Sequence, residues 1–172
     1  MRHGKRNFLH QSLQDKKSIQ DILKAITGGI ARGIIVGIVV TIVAIFFTSL
    51  KIHNYFIIIL VVLMTSILFS LAGFINAVFA KKFDDISIIP TFILTPLIYL
   101  GGVFYSINLL PEFWQTVSRL NPILYMVNAF RYGLLGVSDI GLLTAFLIIA
   151  IFIIILFAFS LYLMHTGKGI KS

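Results

Sequence analysis

The sequence predicts an all-α, polytopic membrane protein with four transmembrane helices and a re-entrant or interfacial helical hairpin before the last of them. Three observations predict it. First, the 172 residues are 59% hydrophobic and only 12% charged, against about 45–50% apolar and about 25% charged in an average soluble domain. One water-soluble core of this size could not bury so much apolar surface, so lipid is the expected solvent. Second, four charge-free runs stand out: Gly33–Leu50, Tyr55–Ala80, Ile86–Leu110 and Ile140–Met164. A spanning helix needs about 20 apolar residues, and each run reaches that length, the first by borrowing from Gly28–Arg32. Third, the basic residues divide unevenly between the two sets of loops that four spans create.

The runs are rich in Ile, Val and Phe, yet lipid forces every backbone N–H to be bonded within its own segment, which favours helix. The alternating polar positions of a membrane barrel are missing. The expected spans are residues 29–50, 55–80, 86–106 and 140–164, within a transmembrane domain covering residues 28–172.

Residues 1–27 precede that domain. Met1–Gln11 reads as unstructured, and it has no apolar core of a cleavable signal peptide. Ser18–Ile26, "SIQDILKAI", places Ile19, Ile22, Leu23 and Ile26 at helical spacing, predicting a short amphipathic helix along the cytoplasmic membrane face. In the first span Gly29, Gly33 and Gly37 fall four apart. On a helix they form a smooth stripe where another backbone can approach, either as a sliding seam or as ordinary packing.

The third run follows Asp84 and Asp85, which suit a helix N-terminus or could pair with Lys81 and Lys82. Pro90 and Pro96 each remove an intrahelical hydrogen bond and invite a kink. Thr91 and Thr95 can bond the freed carbonyls, and the run nears its end at Gly101-Gly102. A span so built is a static kink or a part that moves or lines a path.

The hairpin covers residues 111–135. Pro111 suits a first helical position and Glu112 a first turn. Phe113, Trp114, Val117 and Leu120 make one apolar face of a short interfacial helix. Asn121 can cap a second helix that has Pro122 at its first position, runs to Leu135 and stops at Gly136. That helix is about 20 Å long, too short to cross. Asn121, Asn128 and Arg131 fall near one of its faces, beside Tyr125 and Tyr132. A charge at that depth needs a partner or water. The face lines the outer exit of a path, or Arg131 snorkels to the interface.

Orientation follows from charge. Arg2, Lys5, Arg6, Lys16, Lys17, Lys24, Lys81, Lys82, Lys168 and Lys171 share one side, while Lys51, Arg119 and Arg131 share the other. The richer side is cytoplasmic by the positive-inside rule, so both termini are inside and the hairpin is outside. The net charge of +8 is explained the same way, without nucleic acid.

Little else carries chemistry. There is no cysteine, and His3, His10, His53 and His165 have no ligand spacing, so no metal or other cofactor is expected. No nucleophile elbow occurs, and "HTGKGIKS" lacks the spacing of a phosphate-binding loop. The chain is therefore not expected to be an enzyme. No acidic residue lies within a span to support a proton relay.

The stretch "FDDISIIPTFILTPLIYLGGVFYSINLLPEFWQTVSRLNPILYMVNAFRYGLLG" resembles the membrane subunit of bacterial type 2 ABC transporters, the exporter-class permeases. "GGVFY" and "LNPxxYxxxxFRYG" are specific in combination, and the likeness extends from about Lys24 to the C-terminus through "GGIARG" and "FSLAGFINAVFAKKFDDIS". The resemblance implies a six-span permease that works as a homodimer in the bilayer of the bacterial inner membrane. Two separate cytoplasmic ATPase subunits would drive export of a polysaccharide, lipid-linked molecule or drug. It also implies ATPase coupling near Lys16–Ile26, with Lys16, Lys17, Asp21 and Lys24 as candidates, and an outer hairpin at Pro111–Leu135. The family's first two spans have no counterpart here, so the chain is expected to be the C-terminal part of such a permease. A non-transporting scaffold subunit, an inactive fragment and a stand-alone channel are the alternatives.

Overall fold

The computed structural model describes residues 2–47, 52–80, 86–87 and 90–166, with side chains in the first segment described from Lys16. The expected partners Lys81, Lys82, Asp84 and Asp85, and the loop residues Lys51, Lys168 and Lys171, lie outside the described residues. Every regular element among the described residues is helical. The order is α1 Arg2–Phe47, α2 Tyr55–Phe79, a π-helical turn Pro90–Leu94, α3 Thr95–Leu100, a 3-10 turn Ile107–Leu109, α4 Glu112–Arg119, α5 Pro122–Leu135 and α6 Leu142–His165. Three helices are long and apolar enough to cross a membrane: the Lys16–Phe47 part of α1, α2 and α6. The shorter apolar helix at Pro90–Leu100 stands where the third span was expected.

The N-terminal segment differs from expectation. A single helix runs from Arg2 into the first span without a break, where an unstructured start and a separate short helix were predicted. The segment holds no proline, and its Lys, Gln, Leu and Asp residues cost little in a helix already nucleated by the apolar part. With 46 residues at about 1.5 Å each, α1 is about 69 Å long, far more than the roughly 30 Å of hydrocarbon. Its N-terminal part therefore extends beyond the lipid core.

The α2 helix is the central element, packed against α1, α5 and α6. Asn54 starts it, its side chain accepting the Ile57 N–H at 3.2 Å, as an N-cap should. Against α1 the pairing is antiparallel: Gly29 lies on Ser70 and Gly33 on Ser66, and a Cβ on either glycine would overlap the facing serine side chain. Gly37, the third member of the expected stripe, has no atom within 4 Å of where its Cβ would stand. The two helices have separated by that level, and Ile35, Val39, Ile42 and Phe46 on α1 are exposed, as suits lipid.

Against α6 the pairing of α2 is parallel. Phe79 stacks on Phe159 near their C-terminal ends. At the other end Gly133 packs on Ile57 and Ile58, and Gly136 on the His53 ring, a few residues before α6 begins. Two parallel helices in sequence require the intervening chain to pass from one end of the bundle to the other. It does so between Ile86 and Gly102: the Asn76 amide donates to the Ile86 carbonyl at 2.9 Å near the end of α2, and Gly101 and Gly102 lie against Ile123 and Leu124 of the hairpin. Within the described residues the third run is helical at 86–87 and continues as a π-helical turn at Pro90–Leu94 that passes directly into α3. Pro90 and Pro96 supply no N–H donors, so the regular ladder is interrupted. The Thr95 hydroxyl reaches the Pro90 carbonyl at 3.5 Å.

The main cluster of buried residues joins Ile57, Val61 and Leu68 of α2, Leu124, Met126 and Ala129 of α5, and Ala145 and Ile149 of α6. In lipid, apolar contacts between helices gain little over contacts with acyl chains. Close packing and hydrogen bonds decide what stays together.

Candidate functional site

The hairpin end of the bundle holds a connected set of polar side chains on α5 and its flanks. Local sequence builds it. Pro122 takes the first helical position with its fixed φ, and Asn121 caps it, accepting the Ile123 N–H at 3.0 Å. Gly136 closes the helix at φ 74°, a left-handed conformation that glycine adopts without steric cost, and its N–H bonds the Tyr132 carbonyl at 2.8 Å. The last carbonyls are satisfied from elsewhere: His53 N donates to Leu134 O at 3.1 Å and Asn54 N to Gly133 O at 2.9 Å.

Asn128 is fully buried. Its amide nitrogen donates to the Leu124 carbonyl at 2.9 Å. Its oxygen accepts from the Ser138 hydroxyl at 3.1 Å and the Asp139 N–H at 2.9 Å. One turn later, Arg131 donates to Asp139 Oδ2 at 3.1 Å and to the Gly102 carbonyl at 2.6 Å. The paired side chains keep 21% and 19% of their surface exposed, so solvent screening is weaker than at an open surface. Asn121 also reaches across, its amide donating to the Leu97 carbonyl at 2.6 Å. That carbonyl is available because Gly101 N bonds Ile98 O, tightening the last turn of α3. The Tyr125 hydroxyl donates to the Arg119 carbonyl at 2.6 Å. Burial pushes its pKa up, partly offset by the Arg119 cation, which keeps it a donor.

The structure therefore joins Asn121, Asn128 and Arg131 with Gly101 and Gly102 in one node. Arg131 has its partners in the fold, the Asp139 carboxylate and the Gly102 carbonyl, and its side chain is partly buried. Asp139, its partner, escaped sequence reasoning. The available signal was an acidic residue eight positions after an arginine, across a glycine turn.

The other expected residues sit elsewhere. Pro111 is the cap of α4 rather than its first residue, and Gln115 N bonds its carbonyl at 3.0 Å. Trp114 is partly exposed and meets Phe113 edge-on. Lys16, Lys17, Asp21 and Lys24 are exposed on α1, with Lys24 3.5 Å from Asp21. The face of that segment buried in the fold is Ser18 and Ile22, whereas Ile19 and Leu23 are exposed. Among the described residues no group of acidic and histidine side chains could hold a metal ion.

Comparison with known proteins places this geometry in context. The family model described as ABC-2 type transporter matches residues 21–135. The inner membrane transport permease YadH of Escherichia coli K12 is 51% identical over 147 residues, which is 86% of this chain and 57% of that protein. Nodulation protein J of Rhizobium leguminosarum bv. trifolii is 24% identical over 99 residues, 54% of this chain and 38% of that protein. The chain thus spans a little over half the length of the YadH relatives it matches. No solved structure matches.

Proposed function

The chain belongs to the ABC-2 type transporter family, and from that premise we propose that it is the transmembrane permease subunit of an ABC exporter. It moves a polysaccharide, lipid-linked molecule or drug across the inner membrane. Separate cytoplasmic ATPase subunits hydrolyse the ATP, and the permease acts as a homodimer. The observation that carries the reading is the 51% identity to a transport permease, over a chain whose family match takes in the hairpin node from Asn121 to Arg131. The N-terminal part of α1, too long to be contained in lipid, presents Lys16, Lys17, Asp21 and Lys24 to the cytoplasm as the ATPase contact. The hairpin faces outward at the exit of the path, and both termini are inside.

Two measurements test this. Affinity-purified chain from its native membrane brings down an ATPase subunit, and Lys16→Glu with Lys17→Glu weakens the association; recovery of no ATPase overturns the permease reading. The chain has no cysteine, so single cysteines report sidedness. Val137→Cys, exposed at the hairpin end, reacts with an impermeant maleimide from outside, and Lys17→Cys only after permeabilisation. The reverse pattern overturns the orientation.

A further inference from the structure

We infer that residues 90–102 form a hinged arm, held shut against the hairpin by two side-chain latches, Asn121 and Arg131. The arm has a joint at each end. At one end the π-helical turn and Pro96 interrupt the backbone ladder. At the other, Gly101 is followed by Gly102 at φ 70°, where two residues without side chains permit a change of direction. Between the joints no residue is buried. Phe92 and Tyr99 are 71% and 58% exposed, and only Leu94, Leu97 and Leu100 are half-buried.

What closes the arm against the hairpin is polar and one-directional, while the Tyr105 hydroxyl, donating to the Tyr99 carbonyl at 2.7 Å, ties the arm only to the chain just past the glycine joint. Asn121 donates to the Leu97 carbonyl and Arg131 to the Gly102 carbonyl, each at 2.6 Å. One acceptor lies in the last turn of α3, where carbonyls lack intrahelical partners, and the other just past its cap. Both donors are fixed independently of the arm: Asn121 by capping α5, Arg131 by Asp139, whose own N–H is bonded by Asn128. When the arm swings away the donors keep their places, and the released carbonyls are left for water or another donor. The latch belongs to the α2/α5/α6 body and the arm is the moving part. Gly101 and Gly102 serve the closed state too, since they allow close approach to Ile123 and Leu124. The inference goes beyond the permease reading and stands without it, because its test needs neither cargo nor ATPase.

The test uses the full chain in lipid nanodiscs with pairs of spin labels on introduced cysteines. Tyr99 and Leu135 report the arm against the hairpin; Tyr55 and Leu143, all four positions being exposed, report the body. Asn121→Ser keeps a cap acceptor and removes the amide donor. Arg131→Lys keeps the charge beside Asp139 and removes the forked guanidinium. Each variant is expected to add a longer-distance component to the Tyr99–Leu135 distribution, the double variant the most, with Tyr55–Leu143 unchanged. An unchanged Tyr99–Leu135 distribution in the double variant overturns the inference. So does equal broadening of both pairs, which marks the two residues as keepers of the whole fold. If the double variant does not fold, Asn121→Ser alone decides in the same way.

Discussion

The hairpin helix α5 and the arm at Pro90–Leu100 begin from similar material. Each is a short apolar helix with proline at its start and glycine at its C-terminal cap. Their fates differ: half of the 14 residues of α5 are buried, and none of Pro90–Leu100 are. Apolarity does not separate them. The difference is that α5 carries Asn128, Arg131 and Tyr125, with Asn121 as its cap, at positions that satisfy neighbouring backbone, while the arm offers α5 only carbonyl acceptors. In a bilayer a leucine face is nearly as content with acyl chains as with another helix. Polar side chains at the right register therefore decide which short helix is anchored and which is free to move.

The contrast is most severely tested at Arg131. Replacing it with leucine leaves the Asp139 carboxylate without its cation; the pair is only partly buried, so the cost is expected toward the lower end of the about 3–5 kcal/mol that breaking a fully buried pair costs. The same change made together with Asp139→Leu is expected to be milder than either alone, as measured by denaturant unfolding of the purified chain in detergent. Next in size, Gly133→Leu forces a side chain into Ile58 and is expected to cost about 1–3 kcal/mol as overpacking, with Gly37→Leu as a near-neutral companion on α1. At the small end, Phe92→Ala on the arm is expected to change stability by no more than about 0.5 kcal/mol, as at other positions that pack on little. A large loss at Phe92 would erase the distinction between the two helices.

The part of this contrast that was legible in the sequence rests on local chemistry. Asn121-Pro122 and Gly136 announced the bounds of α5 because a cap, an N1 proline and a left-handed terminus act on their immediate neighbours. The stripe at Gly29 and Gly33 was legible for a similar reason. Gly37 was not, because a period of four says which face meets a neighbour but not where two helices part. Arg131 was recognised as needing a partner, yet the partner came from Asp139 across a turn and from a carbonyl on another element, neither marked by any helical period. The continuity of α1 is hidden by its polarity: a charged start reads as unstructured and Ser18–Ile26 as a separate helix at the membrane face, although a single helix runs through both.

The two backbone bonds from His53 and Asn54 to the end of α5 bear on the order in which the chain is made. Those donors leave the ribosome long before Leu134 and Gly133 exist to accept from them. A nascent chain stopped short of the hairpin has α1 and α2 complete but lacks the acceptors for His53 and Asn54 at the start of α2. Assembly at that end is consequently non-local, and waits for the hairpin to be made.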